Sequence, residues 1–182
     1  MNFKAKTYKL KNEKSINIRT PLIGEALELI NLKRSYIQNT TTIPMYLEEY
    51  PIDCEKEKKI ISEYEERDNC LLLIAEYNGE FIGNIDLTGS ERLKMYHTGM
   101  IGMGIKEQWR NLGLGKILIN SVIEWAKKYS KIELVWLDVY SSNELGFNLY
   151  LNTGFIKSGI MKGFFKENNG YKDKIQMYQR IK

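Results

Sequence analysis

The apolar positions of this 182-residue chain recur at two spacings, every second residue and about every 3.6, and each switch between them marks a new element. Ser15-Ile16-Asn17-Ile18-Arg19 alternates polar and apolar side chains, as a half-buried strand does. The residues before it, 1–14, are polar and lysine-rich and read as a lead-in to one domain at 15–182. Pro21 then opens a helix from Leu22 to near Gln38, with Ile23, Ala26, Leu27, Ile30 and Leu32 at helical spacing. Thr40-Thr41-Thr42-Ile43-Pro44 ends it. Asp53 to Arg67 is a second, strongly charged helix with Ile60, Ile61 and Tyr64 as a thin apolar stripe.

Leu71-Leu72-Leu73-Ile74-Ala75 is apolar without alternation and reads as a fully buried strand. Asn78-Gly79 behind it is a hairpin turn, so Phe81 to Leu87 returns antiparallel. A turn at Gly89 to Leu93 leads into a long strand, Met95 to Ile105. After a helix at Lys116 to Tyr129 come a strand at Ile132 to Tyr140 and a short helix at Asn143 to Asn152. Strands at Phe155 to Ile160 and Ile175 to Arg180, joined by a polar loop around Asn168-Asn169-Gly170, close the chain. The order β-α-α-β-β-β-α-β-α-β-β predicts an α/β fold: a mixed, mostly antiparallel central sheet flanked by helices.

Candidate chemistry sits where the long strand meets its helix. Met100-Ile101-Gly102-Met103-Gly104-Ile105 is followed by Arg110-Asn111-Leu112-Gly113-Leu114-Gly115, and Ile117, Leu118, Val122, Trp125 and Ala126 then share one helix face. A strand feeding a glycine-rich corner that opens a helix grips phosphate. The first helical N–H groups are unpaired, the helix dipole is positive there, and glycines keep side chains off the backbone. The corner is neither a Walker A loop nor G-x-G-x-x-G.

Arg110-x-x-Gly113-x-Gly115 resembles the pyrophosphate arm of the GNAT superfamily of N-acetyltransferases, which bind acetyl-coenzyme A. Val139-Tyr140-Ser141-Ser142-Asn143-Glu144-Leu145-Gly146-Phe147-Asn148-Leu149-Tyr150, followed by Gly154-Phe155, resembles that family's second acetyl-CoA element, with Gly146 where Ala is usual. The resemblance implies that Met103 and Ile105, with Gly104 between them, pair with the pantetheine amides. It implies that the amides of Asn111, Leu112, Gly113, Leu114, Gly115 and Lys116 hold the pyrophosphate, with Arg110 supporting the turn. Lys116 is either a direct phosphate contact or an ordinary surface lysine. Asn143 contacts the pantetheine arm, caps its helix, or does both. Tyr150 is the implied proton donor to the departing thiolate. Where many relatives carry a Glu on the long strand, Thr98-Gly99-Met100-Ile101-Gly102 has no carboxylate. His97, Asp86 and a water chain therefore stand as alternative bases.

Composition narrows the rest. With 43% hydrophobic residues the chain suits one domain with a sizeable core. No apolar run reaches a membrane span, the start lacks a secretory apolar region, and a single His beside Cys54 and Cys70 makes no metal cluster. The net charge of +4 is not arranged as a basic, aromatic-interleaved stripe, so nucleic acid is not an expected partner. The acids of residues 48–68 are either a solvated helix face or an attraction for a cationic amine. In the family, the first two helices and the loops around Pro44 and Gly89 line the acceptor side, and Tyr46, Tyr50 and Tyr64 are candidates there. The expectation is a cytoplasmic, acetyl-CoA-dependent N-acetyltransferase. It acts on a primary amine of a small molecule or of a peptide or protein N-terminus, without metal, and a homodimer is an open option. A non-catalytic acyl-CoA-binding module and an unrelated nucleotide-binding α/β protein are the competing readings.

Overall fold

The periodicities resolve into eight strands and four α-helices in a computed structural model that describes residues 3–168 and 170–182. In chain order these are β1 (Lys6–Lys9), β2 (Ser15–Arg19), α1 (Ala26–Gln38), α2 (Cys54–Glu66), β3 (Leu71–Tyr77) and β4 (Glu80–Gly89). They continue as β5 (Thr98–Ile105), α3 (Leu114–Tyr129), β6 (Leu134–Tyr140), α4 (Glu144–Leu151), β7 (Ile156–Glu167) and β8 (Gly170–Arg180). One sheet runs β1-β2-β3-β4-β5-β6-β8-β7, and its neighbours are antiparallel except β5 and β6.

The unbroken apolar run of β3 is explained by cores on both sides of the sheet. Leu71, Leu73 and Ala75 join one, beneath α3, and Leu72 and Ile74 join the other, beneath α1 and α2. On the α3 side, Leu118, Ile119, Val122 and Ala126 share a core with Ile82, Ile85, Leu87 and Ile101. Asn78 and Gly79 turn β3 into β4 with φ of 49° and 81°, both in the left-handed region that a tight hairpin needs.

Three segments differ from the sequence expectation. Lys6–Lys9, inside the presumed lead-in, pairs with β2 as an edge strand, Tyr8 packs on the core and Leu10 is buried. Its lysines masked it, although an edge strand tolerates and even favours them. Residues 1 and 2 of that lead-in lie outside the described residues. Residues Leu93–Met95 form a short 3-10 turn, so β5 starts at Thr98. The closing hairpin is longer than expected because β7 is exposed along most of both faces and carries no alternation to detect. Asn169 of the expected loop lies outside the described residues.

The sheet opens between β5 and β6. These parallel strands are in register over Thr98↔Leu134, Gly99↔Val135 and Met100↔Trp136 only, after which β5 continues to Ile105 on β4 and β6 to Tyr140 on β8 without pairing with each other. Gly99 permits the approach at the closed end, where a Cβ would press on Leu87 and Ile132 at 2.7 Å. Because α3 is held by buried side chains, Leu118→Ala is expected to cost about 2–5 kcal/mol in chemical denaturation. An unchanged midpoint would mean α3 is not part of the core.

Candidate active site

The corner at the end of β5 is built from two left-handed residues, Asn111 (φ 62°) and Gly113 (φ 91°), placed just before α3. Arg110 Nε donates to the Ile105 carbonyl at 3.1 Å, tying the corner to the strand end. The Lys11 N–H donates to the Leu112 carbonyl, so the β1–β2 hairpin braces it from behind. The first helical bond runs from the Ile117 N–H to the Gly113 carbonyl, which leaves the amides from Leu114 to Lys116 ahead of the ladder. Gly115 is buried against Leu149 of α4, where a Cβ would stand at 2.7 Å. Lys116 is exposed at the rim. Met103, Gly104 and Ile105 lie directly ahead of this corner, on the stretch of β5 that still pairs with β4 but no longer with β6. Residues 103–105 and 110–116 thus form one continuous lining from the open sheet to the helix start.

On the other face of β5 the glycines are filled from elsewhere in the chain. A Cβ at Gly104 would collide with the ring of Tyr36 from α1, whose hydroxyl donates to Asn84 Oδ1 at 3.0 Å. A Cβ at Gly102 would stand 3.0 Å from Asp86 Oδ1. Asp86 is the cross-strand partner of Gly102 on β4.

Helix α4 borders the open end. Asn143 Oδ1 accepts the Gly146 N–H at 2.9 Å, so its capping role is realised. A Cβ at residue 146 would press on that same side chain at 2.6–2.9 Å. Tyr150, two turns along, packs edge-on against Phe155 at 5.8 Å. Burial, with the charge of Asp86 second, pushes its phenol up to about 12, so it is protonated at neutral pH.

Around Asp86 lies a polar cluster that sequence patterning left unassembled. Tyr64 of α2 reaches Asp86 Oδ2 at 3.4 Å and the Thr88 hydroxyl at 2.5 Å. Lys33 pairs with Glu57 Oε1 at 2.7 Å, and Tyr50 donates to Glu57 Oε2 at 2.6 Å. Glu57 is only 2% exposed, an inward-turned member of the acidic run, whereas Glu55, Glu63, Glu65 and Glu66 face solvent. Burial pushes the Asp86 carboxyl up to about 6, against the opposing pull of Lys33, the Tyr64 hydroxyl and the Gly102 amide. Burial likewise raises Tyr36 and Tyr64 above the ordinary phenol value. A signal existed for Tyr50 and Tyr64, both singled out in the sequence, but nothing local placed them beside β4. His97, by contrast, precedes β5 at its paired end, where its carbonyl accepts from Glu133 and Leu134. It lies about 16 Å along the strand from Gly102 at 3.3 Å per residue.

A second cleft, of about 280 Å³, opens between the loop after α1 and the closing hairpin, with Tyr46, Glu49, Tyr140, Phe164 and Phe165 in its wall. Tyr140, at the diverging end of β6, stacks on Phe165 at 3.8 Å and donates to Glu167 at 2.8 Å.

These features coincide with a known lineage. The Acetyltransferase (GNAT) family matches residues 36–155, and the chain belongs to that family of acyltransferases. L-amino acid N-acetyltransferase AaaT of Escherichia coli K12 is 22% identical over 153 residues, 84% of this chain and 89% of that one. An acetyltransferase of the GNAT family from Streptococcus pneumoniae superposes with a TM-score of 0.88 at 23% identity, covering 92% of this chain and 99% of that one. The yncA protein of Salmonella typhimurium, solved with its cofactor acetyl-CoA, superposes with a TM-score of 0.81 at 15% identity over 92% and 94% of the two chains. An unrelated nucleotide-binding protein is thereby set aside.

The Gly104 contact is testable by itself. Gly104→Ala is expected to displace the Tyr36 ring and lower stability by about 1–3 kcal/mol. Calorimetry that finds the melting temperature unchanged would contradict it.

Proposed function

We propose that the protein is an acetyl-CoA-dependent N-acetyltransferase acting on a primary amine, the amine of a small molecule or of a peptide terminus. The observation that carries this reading is the end of β5, open along its β6 edge, running into the amide-lined corner at 111–116. The strand end offers bare main-chain groups to an amide-bearing arm, and the corner offers unpaired N–H groups and a helix dipole to a diphosphate. Met103, Gly104 and Ile105 would align the pantetheine arm, and Asn111 through Lys116 the pyrophosphate, with Arg110 fixing the corner to Ile105. The Asn143 side-chain amide, with its oxygen committed to the cap, keeps its N–H groups for the same arm.

A thioester is already activated, so positioning and proton delivery make up most of the catalytic demand. Tyr150 supplies the proton. With a phenol at about 12 it stays protonated throughout the physiological range, so the donor form is fully populated when the thiolate departs. The likeness to AaaT, named for L-amino acids, supports a small primary amine as acceptor.

Free-thiol release with acetyl-CoA, measured across L-amino acids, short peptides, polyamines and aminoglycosides, tests the reading. Acetyl-CoA is expected to raise the melting temperature where ATP and NAD do not. Tyr150→Phe is expected to lower kcat by about 100-fold or more while acetyl-CoA affinity, measured by calorimetry, stays the same. A variant as fast as the parent would remove Tyr150 from the mechanism. Acetyl-CoA binding with no turnover on any amine would favour the non-catalytic acyl-CoA-binding module.

A further inference from the structure

We propose that Asp86 receives the acceptor amine: its carboxylate pairs with the incoming ammonium and takes a proton from it before attack. This deepens the acetyl-transfer reading and rests on it. β5 carries no carboxylate of its own, yet one stands over it, delivered from β4. The cross-strand pair Asp86↔Gly102 puts the carboxyl on the face shared with Gly104, and the missing Cβ at Gly102 is the space it occupies, 3.0 Å from Oδ1. Gly102 is thus the clearance that lets the neighbouring strand supply the acid.

Charge counting says what the site awaits. The groups that act on Asp86 or feel its charge are Lys33 and Tyr36 from α1, Tyr64 from α2, the Gly102 amide from β5 and Tyr150 from α4, and behind them stand Glu57, which holds Lys33, Asn84, which holds Tyr36, and Thr88, which holds Tyr64. Glu57 already holds Lys33 at 2.7 Å and the Tyr50 hydroxyl at 2.6 Å. Two carboxylates therefore share one ammonium, and the surplus negative charge resides on Asp86, whose donors are the Tyr64 hydroxyl at 3.4 Å and main-chain amides rather than a cation. A largely desolvated carboxylate without a cation of its own is costly. A primary ammonium would neutralise it. The charge of Asp86 also reaches the Tyr150 phenol, where it adds to the effect of burial.

The protons then balance. The acceptor nitrogen enters as R–NH3⁺ and gives one proton to Asp86, leaving a neutral amine. The nitrogen lone pair attacks the acetyl carbonyl carbon, the C–N bond forms, and the C–S bond breaks with its electron pair on sulfur. Tyr150 protonates the sulfur and recovers its proton from the nitrogen of the new amide. Asp86 releases the proton it holds to water, so the products are the amide, the free thiol and one proton.

Three measurements decide this on the intact chain. The first is kcat/KM against pH with the fastest amine of the panel. The parent enzyme is expected to lose rate tenfold per pH unit below about 6, Asp86→Asn to lose at least 100-fold in kcat together with that acid limb, and Asp86→Glu to regain the limb. Asp86→Asn that keeps the parent rate and limb would overturn the proposal. The second needs no acceptor: the Asp86 carboxyl is followed by carbon NMR with ethylammonium chloride, and with tetramethylammonium chloride as control. Its titration is expected to move to lower pH with the primary ammonium alone; no response to ethylammonium would overturn the assignment. The third is stability. A carboxyl raised in the folded state binds more protons folded than unfolded between about pH 4 and 6, so stability falls as pH rises through that window. Asp86→Asn is therefore expected to melt at or above the parent temperature at pH 8, with the difference shrinking toward pH 4. A lower melting temperature at pH 8 would make Asp86 structural. Failure of the acetyl-transfer reading looks different: the parent protein would turn over no amine of the panel, whether or not it binds acetyl-CoA.

Discussion

Two parallel strands that stop pairing after three residues set the terms for everything else in this protein. Hydrogen-bonding groups left open inside a sheet are costly unless something satisfies them, whether water, side chains or a ligand. The divergence is imposed from both ends. At the closed end, Gly99 lets Leu87 and Ile132 meet across the strand. At the open end, β5 must reach the corner that starts α3, while β6 is drawn toward β8, with which it pairs along its full length. The wedge between them is therefore a consequence of topology, and α3 with its buried face keeps the corner at the wedge's mouth.

Main-chain chemistry of this kind is unusually legible in sequence. Glycine spacing, a helix with a clean apolar stripe and an Asn ahead of a short helix are local signals, and the corner, α3 and the Asn143 cap stand where they pointed. Legibility ends where partners come from distant segments. Lys33, Glu57, Tyr64 and Asp86 meet only because α1 and α2 lie over the β4 face, and no periodicity reports that one acid of a charged helix turns inward. The glycines of β5 carry the same lesson. Read locally they expose backbone to a ligand; in three dimensions Gly104 also makes room for Tyr36 and Gly102 for Asp86. β1 and β7 were obscured for a simpler reason, since sheet edges are free of the alternation that betrays a strand.

The two faces of β5 divide the work. One edge and the corner beyond it present backbone, which has no charge to titrate and no side chain to move. The face toward α1 and α2 presents Asp86, whose carboxyl is pushed up to about 6 by burial, and α4 separately contributes Tyr150, whose phenol is pushed up to about 12 by burial. Environments that separate an acid from a base in this way make one site serve both directions of proton transfer. A carboxyl raised by burial lowers stability as pH rises through its folded value, so packing alone does not favour Asp86 there.

The central claim, that the unpaired strand end and the corner form a single binding surface, is most directly tested by amide NMR of the labelled protein titrated with acetyl-CoA. The account predicts that the largest shifts fall together on Gly102–Ile105 and Asn111–Lys116, with the amides of β1 and β7 unmoved. Shifts confined to other elements, with those two stretches silent, would contradict it.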